Sequence, residues 1–166
     1  MVFLKSERLL LRNLEKKDGE VMVSYRNDPV CARYQRWEDT YPAAVARLIQ
    51  DHGQDIFLSE KDEQHFAVCR GDRLVGDLSC FYTAKDQCVT LGITISPEHQ
   101  RKGYAFEILS AVVQAVGERY PELDIVALIE PENEASVALF EKLGFYRECY
   151  AESIGSYVYV MDGVKK

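Results

Sequence analysis

Apolar positions recur along this chain with two different periods, and the points where the period changes mark its elements. Residues 9–14 predict a first strand, and 15–25 a helix with Met22 and Tyr25 on one side. The 28–38 segment is irregular and aromatic, with Pro29, Tyr34 and Trp37. A second helix is expected from Thr40 or Tyr41 through Gln50, with Pro42 in its first turn, Val45, Leu48 and Ile49 on one face, and Gly53 closing it. Three strands follow at 64–70, 73–82 and 88–95. Gly71-Asp72 joins the first two, so they read as an antiparallel meander.

From Gly103 the period becomes 3.6: Ile108, Leu109, Val112, Val113 and Val116 form one stripe on a helix ending near Tyr120-Pro121. The continuous apolar run at 125–129 predicts a strand buried on both faces. A helix over 133–143, ended by Gly144, and strands at 145–150 and 156–161 complete the order β-α-α-β-β-β-α-β-α-β-β. That order predicts an α/β (α+β) fold, a mixed sheet with helices on its faces. No repeat, low-complexity tract or linker interrupts it, so 1–166 reads as a single domain.

Hydrophobic residues make up 47% of 166 positions, enough for a core that needs neither disulfide nor structural metal. Twenty basic against 27 acidic side chains give a net charge of −7. This argues against binding a nucleic-acid backbone and suits a cationic or amine partner. Five cysteines without a C-x-x-C pair read as reduced cytosolic thiols, not as a disulfide framework or zinc site. His52, His65 and His99 have no partner at metal-ligand spacing, so no metal is expected. There is no basic-then-apolar leader and no apolar run near the ~20 residues of a membrane span, so the expected setting is cytoplasmic, without membrane contact.

Two stretches carry candidate chemistry. In Ile93-Thr94-Ile95-Ser96-Pro97-Glu98-His99-Gln100-Arg101-Lys102-Gly103-Tyr104-Ala105, a strand enters a polar turn and then a long helix. Unpaired N–H groups and the positive end of the helix dipole then converge on one spot, which favours an anion and most naturally a phosphate. Gly103 permits close approach, and Arg101 and Lys102 add charge; an ordinary turn with two solvated cations has the same pattern. Neither G-x-x-x-x-G-K-[ST] nor G-x-G-x-x-G occurs in the stretch, so the common nucleotide loops are not indicated. In the second stretch, 130–145, Asn133 is a good N-cap, Glu134 lies in the first turn and Gly144 follows the helix end. Two such helix starts, about thirty residues apart, can flank one extended ligand.

With these motifs the chain resembles the GNAT superfamily of N-acetyltransferases, most of all its ribosomal-protein alanine acetyltransferase-like branch. Gln100, Gly103 and Ala105 resemble the Q/R-x-x-G-x-G/A signature. Asn133, Ser136, Glu141, Lys142, Gly144 and Phe145 resemble N-x-x-S…E-K-x-G-F. The opening Ser6-Glu7-Arg8-Leu9-Leu10-Leu11-Arg12 and the Arg33-Tyr34…Trp37 segment are similar to that branch too, so the likeness spans nearly the whole chain. The resemblance implies a mostly antiparallel sheet of about seven strands with helices on both faces, and acetyl-CoA as cosubstrate. It implies a pyrophosphate seat on Gln100, Arg101, Lys102, Gly103, Tyr104 and Ala105, and a pantetheine arm along Ile93 and Ile95 where their strand splays from 125–129. Asn133 is implied to contact that arm, Phe140 to line the thioester pocket, and Lys142 to reach the adenosine end, although a solvated lysine looks the same.

Acetyl transfer needs a neutral amine, a polarised thioester carbonyl and a proton for the leaving thiolate. Here Thr90 stands where relatives often carry a carboxylate, and Phe140 where many carry a tyrosine acid. Ser136 matches the serine that the branch offers for protonating the thiolate; Tyr146 and Tyr150 are further acid candidates. For the base, Glu98, Asp77, Glu38 and a water chain stay open. Tyr34, Trp37 and Glu38, with Tyr25 and Tyr41, fall in the segments that cover the acceptor side in the family, and aromatics interleaved with acids suit an amine. The resulting expectation is direct acetyl transfer to a primary amine: a protein N-terminus, a polyamine or a small-molecule amine. A catalytically weak acyl-CoA-binding regulatory module is the alternative that Thr90 and Phe140 favour, and a dimerising scaffold of the same fold is another. Monomer and homodimer both stay open, because the final strand pair either exposes or covers an edge.

Overall fold

The computed structural model describes residues 2–33, 42–52, 57–58 and 63–164. Its strands are β1 (Val2–Lys5), β2 (Leu10–Asn13), β3 (Gln64–Arg70), β4 (Arg73–Thr83), β5 (Cys88–Ile95), β6 (Asp124–Ile129), β7 (Tyr146–Ala151) and β8 (Ser156–Met161). The helices are α1 (Gly19–Arg26), α2 (Pro29–Ala32), α3 (Pro42–His52), α4 (Tyr104–Arg119) and α5 (Glu134–Lys142). All eight strands join one sheet in the order β1-β2-β3-β4-β5-β6-β8-β7, antiparallel at every step except the parallel β5–β6 pair.

β3 explains why both faces are covered. Phe66 and Val68 bury against the α4 stripe of Ile108, Leu109, Val112 and Val116, while Ala67 and Cys69 bury against Met22, Tyr25 and Val45 on the α1–α3 side. Alternate side chains thus serve two cores, and the strand reads as a continuous apolar run. α5 joins the α4 side: Phe140 lies in that core, and the Lys142 ammonium sits 4.3 Å from the centre of the Phe106 ring.

The structure adds one strand to the expected seven. β1 pairs with β2 across a four-residue turn in which Ser6 N–H donates to the Leu9 carbonyl. The helix expected over 15–25 is divided into a 3-10 turn, Lys16–Asp18, and α1. Asp18 is the reason: both its oxygens accept from the buried Arg12 guanidinium at 2.8 Å, and Oδ2 also accepts from Glu15 N–H. The described part of the 28–38 segment holds α2, capped by Asp28, whose side chain accepts from Val30 N–H. α3 begins at Pro42 and runs to His52; Thr40, Tyr41 and Gly53 lie outside the described residues. β8 returns beside β6, leaving β7 at the sheet edge with Tyr146 and Tyr150 exposed. No helix among the described residues is long and apolar enough to cross a membrane.

Candidate active site

β5 and β6 pair only at Cys88↔Asp124, Val89↔Ile125 and Thr90↔Val126, and then part. Parallel strands that separate leave backbone N–H and C=O groups without a ladder partner, so the fork offers main-chain hydrogen bonds to whatever enters it. The cleft it opens has a volume of about 80 Å³. Leu91, Gly92 and Ile93 line it from β5, and Ala127, Leu128 and Ile129 from β6. Glu130, Asn133, Ser136, Phe140 and Ser156 complete its lining.

The turn after β5 is shaped by its backbone. Arg101 and Gly103 both have left-handed φ, 62° and 77°, and Gly103 is the N-cap of α4 without a side-chain cap. A non-glycine residue in that region costs of order 1–3 kcal/mol, and such strain clusters where a loop binds something. The N–H groups of the first helical turn are left for an anion. Gln100 braces the turn by donating to the Ile95 carbonyl at 2.9 Å, so its amide is spent within the loop. Arg101 and Lys102 are exposed, and Tyr104 is buried, with its hydroxyl accepting from Arg70 at 2.7 Å. Ala105 packs against the α4 core.

Arg8, from the β1–β2 turn, arrives at the same place. Its guanidinium lies 4.8 Å from the centre of the Tyr104 ring, and its Nη2 would be 3.5 Å from a Cβ on Gly103. Nε is held by Glu107 at 3.1 Å. Burial would raise the Glu107 pKa, but hydrogen bonds from Arg8 and Ser6 hold it below the usual carboxylate range.

α5 supplies the polar end of the cleft. Asn133 Oδ1 caps the helix by accepting from Ser136 N–H at 3.3 Å, while its NH₂ group and the Ser136 hydroxyl have no partner among the described residues. Phe140 is buried edge-on against Phe145, with ring centres 5.1 Å apart. Lys142 is spent on Phe106, in the first turn of α4, which puts it between the two helices.

The sequence-predicted residues therefore divide. Ile93, Asn133, Ser136 and Phe140 meet in the cleft, and the 100–105 loop lies beyond the end of the same β5 strand. Ile95 is buried in the core opposite Gly76, and its carbonyl accepts from Gln100 and Cys31. Tyr146 is not brought in: it pairs with Val160 on the edge strand and donates to Asp162 at 2.9 Å. Tyr34, Trp37 and Glu38 lie outside the described residues. Of the other base candidates, Glu98 is exposed and paired with Arg73 at 3.1 Å, and Asp77 is buried under Tyr25 and Arg26.

Sequence reasoning missed Glu130 and Ser156 on the cleft wall, and Arg8 as a neighbour of the loop. Only the acidic Glu130-Pro131-Glu132 run beside the N-cap was a legible signal for the first. A larger, mostly apolar hollow of about 590 Å³ lies between α1 and α3, with Lys16 and Glu20 the ionisable residues of its lining. Among the described residues no three His, Cys, Asp or Glu side chains gather as a metal site would.

Residues 8–146 match the family described as an acetyltransferase (GNAT) domain. The chain is 31% identical over 150 residues to the uncharacterised N-acetyltransferase YoaA of Bacillus subtilis (strain 168), covering 87% of this chain and 83% of that one. In structure it is similar to a GNAT-family acetyltransferase from Bacillus anthracis, with a TM-score of 0.83, 24% identity and 98% of both chains covered. It is also similar to a spermidine N-acetyltransferase from Vibrio cholerae solved with CoA and spermine, with a TM-score of 0.75, 23% identity, and 93% and 94% covered.

Proposed function

The chain belongs to the GNAT acetyltransferase family, and from that premise we propose that its β5–β6 fork moves an acetyl group from acetyl-CoA directly to a primary amine. The observation that carries the reading is the parting of the two strands after Thr90↔Val126, beside a helix that starts on left-handed Gly103. The diphosphate sits on the N–H groups of residues 101–105, with Arg101 and Lys102 adding charge. The pantetheine arm lies along the freed edge of β5 at Ile93, contacted by the Asn133 amide, and the thioester stands against Phe140. Ile95 and Gln100 hold the loop in place, and Lys142 borders the adenosine end.

An α-amino group has a pKa near ~8 and a lysine-type amine near ~10.4, so water leading to bulk solvent takes one proton before attack. The nitrogen lone pair then forms the C–N bond as the C–S bond breaks. A backbone N–H near Ile93 polarises the carbonyl. The Ser136 hydroxyl gives the thiolate its proton and is reprotonated from water; the second proton of the nitrogen leaves to solvent. Ser136 serves here because Phe140 has no proton to give and Tyr146 stands outside the cleft.

Titration calorimetry tests the donor site. Wild-type protein should bind acetyl-CoA and CoA at micromolar concentration. Gly103→Glu, which puts an acidic side chain into the diphosphate seat beside Arg8, should lose that binding, with circular dichroism verifying its fold. No binding by the wild type would end the reading.

A further inference from the structure

Across the sheet, Leu11 pairs with Val68, Val68 with Gly76 and Gly76 with Ile95. The turn that precedes β2 and the loop that follows β5 therefore leave the sheet at the same end. Arg8, in that turn, is carried to the first turn of α4, where it meets a residue 99 positions away in sequence. Its guanidinium is held from two sides. Glu107 accepts from Nε at 3.1 Å and is itself steadied by the Ser6 hydroxyl at 2.9 Å. Cζ stands 4.8 Å over the Tyr104 ring, whose hydroxyl accepts from Arg70. The two Nη groups have no hydrogen-bond or ion-pair partner among the described residues, and Nη2 lies 3.5 Å from the place a Cβ on Gly103 would take.

Arg101 and Lys102, the other cations at this helix start, are exposed and have no partner of any kind among the described residues to brace them. A cation fixed before its ligand arrives gives up less rotamer freedom on binding than a free one. An arginine anchored through Nε also keeps its Nη pair for the oxygens of a phosphate. Resting on the acetyl-CoA reading, we propose that Arg8 is a further donor-binding residue, which the β1–β2 turn delivers to pair with a phosphate of the cosubstrate at the start of α4. The neighbouring Glu107 carboxylate repels that phosphate. The two members of the ion pair thus act on the cosubstrate in opposite senses, whereas a pair that only ties the β1–β2 turn to α4 would act through both members alike.

Titration calorimetry of wild type, Arg8→Met and Glu107→Gln with CoA and with 3′-dephospho-CoA tests this, and urea midpoints taken without ligand report the tether. Arg8→Met should weaken CoA binding by at least about fivefold. Glu107→Gln should bind CoA as tightly as wild type or more tightly, although it breaks the same ion pair. Introducing Arg8→Met into the Glu107→Gln protein, where no carboxylate is left unpaired, should give the same loss and covers the case in which Arg8→Met alone does not fold. The second ligand identifies the phosphate: a loss confined to CoA assigns the 3′-phosphate, and an equal loss for both ligands assigns the diphosphate. Equal losses in Arg8→Met and Glu107→Gln, or CoA affinity within about twofold of wild type in Arg8→Met, overturn the proposal and leave the acetyl-transfer reading standing. A wild type that binds no CoA ends both.

Discussion

Ser136 spends its backbone N–H on the Asn133 cap and leaves its hydroxyl for the cleft, so two neighbouring residues divide structural and chemical work. If that hydroxyl protonates the thiolate, Ser136→Ala should lower kcat by about tenfold or more and change acetyl-CoA affinity by less than about twofold. Tyr146→Phe should leave kcat within about twofold, since the phenol it removes faces Asp162 at the sheet edge. Initial rates at saturating acetyl-CoA measure both, and equal losses in the two variants would remove Ser136 from the role. The serine was legible only through the family resemblance, because it matches the serine of the N-x-x-S motif. Glu130 was not, since proline and helix-cap chemistry already account for its loop; only the end of β5–β6 pairing shows that the loop faces a cleft.

At the scale of elements, the Arg12–Asp18 pair joins the end of β2 to the start of the helical layer. Arg12 and Asp18 are 7% and 3% exposed, so neither has water to fall back on. Removing one member of such a pair leaves the other charge buried alone, which costs about 3–5 kcal/mol. Asp18→Ala should therefore lower the urea midpoint markedly at unchanged m-value, whereas the exposed Lys17→Ala should not move it. A shift as small as that of Lys17→Ala would mean the pair stabilises nothing. This contact also shows where patterning stops being informative. The 3.6 period located α4, with the Asn133 cap and Gly144 marking α5, and the Gly71-Asp72 turn located the β3–β4 hairpin. It did not divide 15–25 into two helical pieces, because that break follows from a long-range guanidinium. It also left out β1, whose four residues are too few to establish an alternation. The order β6-β8-β7 was likewise out of reach, since hairpin strands show that they pair with each other but not which one meets the sheet.

Across the whole molecule, buried titratable groups give stability a preferred pH range. Burial lowers the His99 pKa below its usual 6.5, helped by Arg73 and Lys102 and opposed by Glu98 at 3.2 Å. The unfolded chain then takes up the His99 proton first, so stability is complete above pH 6.5 and is lost as pH falls toward the folded value. Glu107, held low by Arg8 and Ser6, acts in the same sense further down, present above its ordinary 4.5 and lost on acidification. Asp77 acts in reverse: burial raises its pKa despite Arg26 and Tyr25, so ionising it weakens the fold as pH rises past 3.8. On the alkaline side burial pushes Cys31 and Cys69 up to about 11, so stability falls above pH 9, where the unfolded thiols ionise first. Thermal unfolding should therefore give a Tm that is flat between about pH 7 and 8.5 and declines on both sides. His99→Gln should flatten the limb just below pH 6.5 while leaving the alkaline limb intact. The slope, not the absolute Tm, is what counts, since the substitution changes packing beside Tyr104 as well. An acid limb of unchanged slope in His99→Gln would assign the loss of stability to the carboxylates and leave the histidine beside the loop without a part in it.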